Sequence, residues 1–419
     1  MSNHSHSANQ SANQSATQSA NLAAPPARDL AYDVAIIGAG LAGQAAALAL
    51  SALPLRIALI SGPAPTADGR TVALMPEALT MLTKLGLGQL LETAGAPLIR
   101  LRLIDDSGSL FRPPSVLFHA RELGLDAFAI NIENHRLHAG LQEKIKDTAT
   151  IAVFEDRLEQ TRCEGTERLI TLASGRSLTT RLLVAADGRS SPTRSALNIG
   201  TTVQSYDQVA LTALFEHQRP HENCSTEFHT RSGPFTLVPL PGQMSSLVWL
   251  TAPAQGQKLH DLQDDAFSEA CEQQAQSILG RMQLKSRRSL VPMARMQVER
   301  LMADRAVLIG DAAHAFPPIG AQGLNLGLRD ADDLFRCLKG QSDVGAPSVC
   351  AQYADLRKND IFLRLQGVDL LNRSLLSPYL PIDFMRGAGL LALSAIRPLR
   401  RFIMQQSIKR PHPPQSPQR

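Results

Sequence analysis

Aromatic residues are scarce: Phe, Tyr and Trp together make up 4% of the chain, with a single Trp. Single-stranded nucleic acid needs such rings to stack on, so no nucleic-acid partner is expected. Cysteine is also sparse. The five residues at 163, 224, 271, 337 and 350 form no C-x-x-C pair and are odd in number. That excludes a disulfide framework and a zinc site, and it fits a reducing, cytoplasmic compartment. His4, His6, His217, His221 and His229 show no metal-like clustering, so no metal is expected. No apolar run reaches the roughly 18 residues of a membrane-spanning helix. Neither a G-x-S-x-G elbow nor a catalytic Cys–His context is present, so hydrolase readings fail.

What remains is an ordinary globular composition, 44% hydrophobic and 19% charged over 419 residues, with room for two domains. Residues 1–29 repeat a four-residue unit (Ala8-Asn9-Gln10-Ser11, Ala12-Asn13-Gln14-Ser15, Ala16-Thr17-Gln18-Ser19) and read as a disordered tail. The tail lacks the apolar stretch of a secretory signal and has no Arg before Arg28, so it is a poor mitochondrial presequence. The far end is basic: 384–419 holds seven Lys or Arg and no acid, leaving 35 basic against 38 acidic residues elsewhere.

The first chemical signal follows a short apolar run, Asp33-Val34-Ala35-Ile36-Ile37, that reads as a buried parallel strand. Gly38-Ala39-Gly40-Leu41-Ala42-Gly43 comes next, then an alanine-rich helix and a second strand near 56–60. Gly38 allows the tight turn, Gly40 lets backbone approach a pyrophosphate, and Gly43 lets helix and strand pack closely. The helix N-terminus offers free N–H groups to phosphate. The β-α-β context makes this a dinucleotide site, with Leu41 and Ala42 beside the phosphates. One feature departs from the pattern. The second strand ends at Ser61, where an acid normally receives the ribose. No second G-x-G-x-x-G exists, so one dinucleotide is held permanently and any other visits transiently.

Two further motifs lie far downstream. Ala185-Ala186-Asp187-Gly188-Arg189 through Arg194 follows a strand, and so does Gly310-Asp311-Ala312-Ala313-His314, continuing through Pro317-Pro318-Ile319-Gly320-Ala321-Gln322-Gly323-Leu324-Asn325. Asp187-Gly188 taken alone is a turn. Taken together with Gly38, these residues resemble the FAD-dependent aromatic hydroxylases of the p-hydroxybenzoate hydroxylase type. The 310–327 stretch resembles their ubiquinone-biosynthesis branch in particular, as do Asp68-Gly69-Arg70-Thr71-Val72-Ala73-Leu74 and Gly233-Pro234-Phe235-Thr236-Leu237-Val238-Pro239-Leu240. The resemblance covers about 32–405 and is loose in 140–180 and 255–290.

The resemblance implies tightly bound, non-covalent FAD and NAD(P)H as a transient co-substrate. Asp311, next to Gly310, would accept from the flavin ribityl hydroxyls. Gly320 and Gly323 would bring backbone against the ring, with Pro318 as an apolar wall, Leu324 beside it and Asn325 bracing the loop. Arg70 and Arg136 would lie near the cofactor, and Asp187 and Arg194 near the pyrophosphate and the nicotinamide visit. His314 is a candidate base, weighed against a packed neutral histidine.

The expected fold class is α/β: a Rossmann-like FAD-binding domain (30–202 and 291–345), an inserted mixed or antiparallel-sheet substrate domain (203–290), and C-terminal helices (346–410). The implied substrate is a lipid-soluble polyprenylated phenol on the route to ubiquinone, hydroxylated with O2. Such a phenol activates its own ring, which explains why no side chain stands out as catalytic. A hydroxylase of a small soluble aromatic, a flavin-dependent prenyl reductase, and a non-catalytic flavin-binding accessory protein remain alternatives. In the C-terminal segment Leu390, Leu391, Leu393, Ile396, Leu399, Phe402 and Ile403 interleave with Arg386, Arg397, Arg400 and Arg401. This pattern fits either peripheral membrane contact, on the inner face of the membrane, or plain core. Other ubiquinone-pathway proteins are possible partners.

Overall fold

The computed structural model describes residues 30–62, 69–108, 114–316 and 322–376. The low-complexity tail, the stretch 317–321 with Pro318 and Gly320, and the basic C-terminal segment lie outside the described residues.

Five strands run parallel in the spatial order Ala306–Leu308, Ser177–Ala185, Ala31–Ile37, Ile57–Ser61, Ile151–Glu155. Their continuous apolar sequences reflect burial on both faces. On one face Val34, Ile36, Ile57, Leu59, Leu182 and Val184 pack against the helices Leu41–Leu50, Asn134–Lys146 and Gln322–Leu338. The run Ala45-Ala46-Ala47 in the first helix is fully buried, because small side chains let the helix axis approach the sheet. On the other face Ala35, Ile37, Ala58, Ile60, Leu183 and Ala185 meet Ile170 and Leu172. Those two residues come from an antiparallel excursion, Leu158–Glu164 and Glu167–Leu172, attached to Ser177–Ala185.

The second sheet has nine strands. Its backbone is the run Ser289–Val298, Thr201–His217, Met244–Thr251, Gly233–Leu240, Cys224–Thr230, antiparallel throughout. The sheet is wider than the span 203–290. Arg100–Asp105 joins in parallel beside Cys224–Thr230, Val116–His119 pairs with it, and His314–Ala315 closes the opposite edge on Ser289–Val298. A small third sheet, Thr71–Leu74, Ile130–Glu133 and Ala96–Pro97, sits between the two.

The two faces of the large sheet differ. One is filled: Phe215, Phe228, Phe235, Leu247 and Trp249 pack with Phe267 and Cys271 of the helix Asp264–Gln274. Each buried ring contributes roughly 1.5–3 kcal/mol relative to exposure. The other face carries Thr212, Leu214, Thr236, Val238, Ser246 and Val248, brought side by side by the pairings Thr212↔Val248, Leu214↔Ser246, Thr236↔Val248 and Val238↔Ser246. It turns toward the small third sheet. Thr71 Oγ1 donates to Ser246 Oγ at 2.9 Å, and Asn131 Nδ2 donates to the Pro239 carbonyl at 2.9 Å.

Candidate functional site

Three strand ends meet at the C-terminal edge of the parallel sheet. The registers Ile37↔Ala185 and Ala185↔Leu308 set Gly38, Asp187 and Gly310 in one row. This is the edge where open α/β sheets receive ligands. Gly38 has φ +107°, and a Cβ there would stand 2.4 Å from the Ala186 carbonyl oxygen, so no other residue fits. A Cβ on Gly43 would lie 1.9 Å from the Gly38 oxygen. Ala42 is wedged between the Gly-Asp turn and the helix Gln322–Leu338: added Cβ atoms on Gly310 and Gly327 would stand 3.0 and 3.1 Å from its methyl. Three distant segments are thus packed backbone against backbone.

Gly40 is the exception. A Cβ there would meet nothing within 4 Å among the described residues. Gly40 is also the N-cap of the helix Leu41–Leu50, and no side chain caps that end. The protein itself does not need a glycine at 40, so the open space and uncapped N–H groups form a cradle that suits a pyrophosphate. Asp311 is exposed beside this edge, and its carboxylate has no partner among the described residues. A Cβ on Gly323, one residue into the helix Gln322–Leu338, would likewise meet nothing within 4 Å among the described residues. These features fit a flavin dinucleotide.

Other candidates have structural duties. The two Asp187 carboxylate oxygens accept from Ser191 Oγ and from the Thr193 N–H. Arg194 is buried, donating to the Ala312 carbonyl at 3.0 Å and to the Arg189 carbonyl at 2.9 Å, so it staples the Asp-Gly turn to the Gly-Asp turn. Burial pulls its guanidinium below the usual value against the pull of Asp187. Ser61 Oγ donates to the Gly62 carbonyl at 2.7 Å. Arg70 is exposed at the head of Thr71–Leu74, and its carbonyl accepts from the Asn134 N–H. Arg136 is exposed and its Nε bonds Glu133 at 3.0 Å. Leu324 packs against the core beside Leu41. Asn325 ties its helix to a further segment, while the loop it was expected to brace lies outside the described residues. It accepts from the Met75 N–H and donates to the Ala73 carbonyl, both at 2.8 Å, pinning the end of Thr71–Leu74.

His314 is fully buried. Its Nε2 lies 2.7 Å from Asp330 Oδ2, which also accepts from the Gly310 N–H at 2.8 Å. Arg357 donates to Asp330 Oδ1 at 2.6 Å, to Asp360 at 2.7 Å and to Asp333 at 3.1 Å. Arg329 extends the network to Asp360 and Glu77. Burial alone would raise the Asp330 carboxyl, but His314 and Arg357 outweigh it and hold it below the usual range. His314 is therefore packed into the network that anchors Gly310.

Two contributors escape sequence reasoning. His138 Nε2 lies 3.2 Å from the Ala39 carbonyl inside the glycine loop and 3.3 Å from Gln44 Nε2. Its only trace in the sequence is a place beside the apolar stripe Leu137, Leu141, Ile145. Asp330 leaves a clearer trace, an acid between Leu326 and Leu334 on the buried stripe of its helix. The cysteines are free, and all but Cys163 are buried. Burial pushes the Cys337 and Cys350 thiols up to about 11. Among the described residues no group of three or more His, Cys, Asp or Glu could hold a metal.

A parallel sheet with an open glycine cradle at its C-terminal edge and an exposed aspartate beside it fits an FAD-binding flavoprotein. A family model described as FAD binding domain matches residues 31–359, and the chain belongs to that family. It is 30% identical over 391 residues to the ubiquinone hydroxylase UbiL of Rhodospirillum rubrum, covering 91% of this chain and 90% of that one. It is 26% identical over 390 residues to the 3-demethoxyubiquinol 3-hydroxylase of Escherichia coli, covering 90% and 98%. Among solved structures, p-nitrophenol 4-monooxygenase PnpA of Pseudomonas putida matches with a TM-score of 0.77 at 15% identity, over 92% of this chain and all of that one. A variant of Klebsiella pneumoniae HpxO complexed with FAD matches with a TM-score of 0.72 at 19% identity, over 90% and 98%. At these identities the structures speak for the fold.

Proposed function

We propose that the protein is an FAD-dependent monooxygenase that hydroxylates the aromatic ring of a polyprenylated phenol in ubiquinone biosynthesis, with NAD(P)H and O2 as co-substrates. The observation that carries the reading is the unequal pair of faces on the nine-stranded sheet. One face is closed by aromatic core. The other carries the half-buried Thr212, Thr236, Val238 and Val248 on the side where Ser246 meets Thr71. An apolar wall with a few hydroxyls suits a phenol, whose ring packs on methyl groups while its one polar group finds a partner. The relatives named as ubiquinone hydroxylases support a substrate of that class.

In this reading the Gly38–Gly43 loop holds the pyrophosphate, with Leu41 and Ala42 at the helix start. Asp311 accepts from the ribityl hydroxyls, and Gly323, Leu324 and Asn325 flank the ring. FAD, when bound, supplies the electron transfer and the activation of oxygen. The protein's part is to position, to exclude water and to offer N–H groups to developing negative charge. No residue is assigned as a base, since the phenol activates its own ring. Contact with a membrane surface through the basic C-terminal segment, and with other pathway proteins, belongs to the same proposal. Among the described residues no helix is long and apolar enough to cross a membrane.

The test is genetic and chemical together. A strain lacking the gene should accumulate a prenylated phenol one hydroxyl short, and the wild-type gene should clear it. An unchanged quinone profile would overturn the assignment.

A further inference from the structure

The strand Ile57–Ser61 ends in a hydroxyl where dinucleotide-binding units place the carboxylate that receives a ribose. The neighbouring strand offers a substitute. Ile151–Glu155 runs parallel beside it and pairs Ile57 with Ile151, Leu59 with Val153, and Ser61 with Glu155. Paired residues of adjacent strands share a face, and the strands lie about 4.8 Å apart. That face is the one covered by the helix Leu41–Leu50, since Ile57, Leu59 and Ile151 cluster with Ala45 through Leu50. Ser61 and Glu155 therefore share the C-terminal edge and the side on which that helix presents its uncapped N-terminus.

Two acids end the neighbouring strand, and they are not equivalent. Asp156 is fully committed: its carboxylate accepts from the N–H groups of Arg157 and Ser174 and from Ser174 Oγ, with Arg176 3.7 Å away. Glu155 is exposed and has neither hydrogen bond nor ion pair among the described residues. Ser61 cannot do the work alone. Its proton goes to the Gly62 carbonyl, which leaves the oxygen as a weak neutral acceptor. A ribose presents two vicinal hydroxyl donors, and an ionised carboxylate has two oxygens to receive them.

We propose that Glu155 supplies the missing carboxylate, accepting from the adenosine ribose hydroxyls of FAD one strand further out than usual, with Ser61 Oγ as a secondary acceptor. The cofactor's hold on this chain then depends on a residue about a hundred positions away from the glycine loop.

The experiment is a titration of the flavin-free full chain, read by flavin fluorescence. Two ligands are compared, FAD and an FAD analogue built on 2′,3′-dideoxyadenosine. Glu155→Gln should raise the Kd for FAD by tenfold to about a hundredfold, the range for one charge-assisted hydrogen bond. The same substitution should leave the Kd for the dideoxy analogue unchanged. Glu155 is exposed, so folding is not at risk. An FAD affinity unaltered by Glu155→Gln overturns the proposal, and so does an equal loss with both ligands.

Discussion

The two sheets present themselves to the cofactor space in opposite ways. At the edge of the parallel sheet the chain meets itself through backbone and single methyl groups: Gly38 on Ala186, Gly43 on Gly38, Ala42 between Gly310 and Gly327. On the nine-stranded sheet the contact is made by side chains of ordinary size, and only alternation decides which of them face inward. The first arrangement tolerates almost no substitution and hence imposes fixed spacings on the sequence. The second tolerates many, so it leaves a surface that can be tuned to a substrate without disturbing the cofactor.

Removing the anchor beneath the first region should have the largest effect. Asp330→Ala leaves Arg357 buried without its main partner and frees the Gly310 N–H, so unfolding stability should fall by about 3–5 kcal/mol, with flavin lost. Chemical denaturation followed by two probes measures this. The same network predicts acid sensitivity. Asp330 has its carboxyl held low in the folded protein, as does Asp343 through Arg305. The stability they contribute is therefore present above the ordinary carboxylate value near 4 and is lost as pH falls below it. A midpoint for acid unfolding that does not move in Asp330→Asn would contradict this.

Neighbouring residues on one strand separate the two faces of the large sheet. Phe235→Ala opens the packed side and should cost about 3–5 kcal/mol of stability with little change in flavin binding. Thr236→Val, one position on, should leave unfolding unchanged and alter KM for the phenol. Equal stability losses for both would erase the distinction between the faces.

At the cradle the order reverses. Gly40→Val has room in the fold, so its unfolding curve should match the parent in the absence of flavin. Its Kd for FAD should rise by roughly two orders of magnitude, as several N–H contacts to phosphate are lost. Retention of flavin absorbance through gel filtration would refute the cradle. A smaller effect, on the order of 1–3 kcal/mol of FAD affinity, is expected for Arg70→Ala. An unchanged affinity there would remove Arg70 from the cofactor site.

The legibility of the molecule follows the same division. Gly38, Gly43 and Gly310 could be read from sequence because close approach there admits only glycine at fixed spacing. The strands and helices around them were readable from continuous apolar runs. The membership of the large sheet was not, because Arg100–Asp105 pairs with Cys224–Thr230 across more than a hundred residues and nothing local announces it. The ion network was hidden for a similar reason: Asp330 finds Arg357 on the next helix, though an acid on an apolar stripe is a visible sign. Arg136, expected near the cofactor, is exposed, and Glu133 one turn earlier accepts from its Nε. The burial of His314 and its pairing with Asp330 could not be read from the sequence either.

One measurement bears on the central claim most directly: isotope analysis of the product formed by the FAD-loaded protein with a short-chain prenylphenol, NAD(P)H and 18O2. The account predicts one 18O atom on the aromatic ring per turnover, with NAD(P)H consumption dependent on the phenol. A product without ring label, or a saturated prenyl chain in its place, would contradict it.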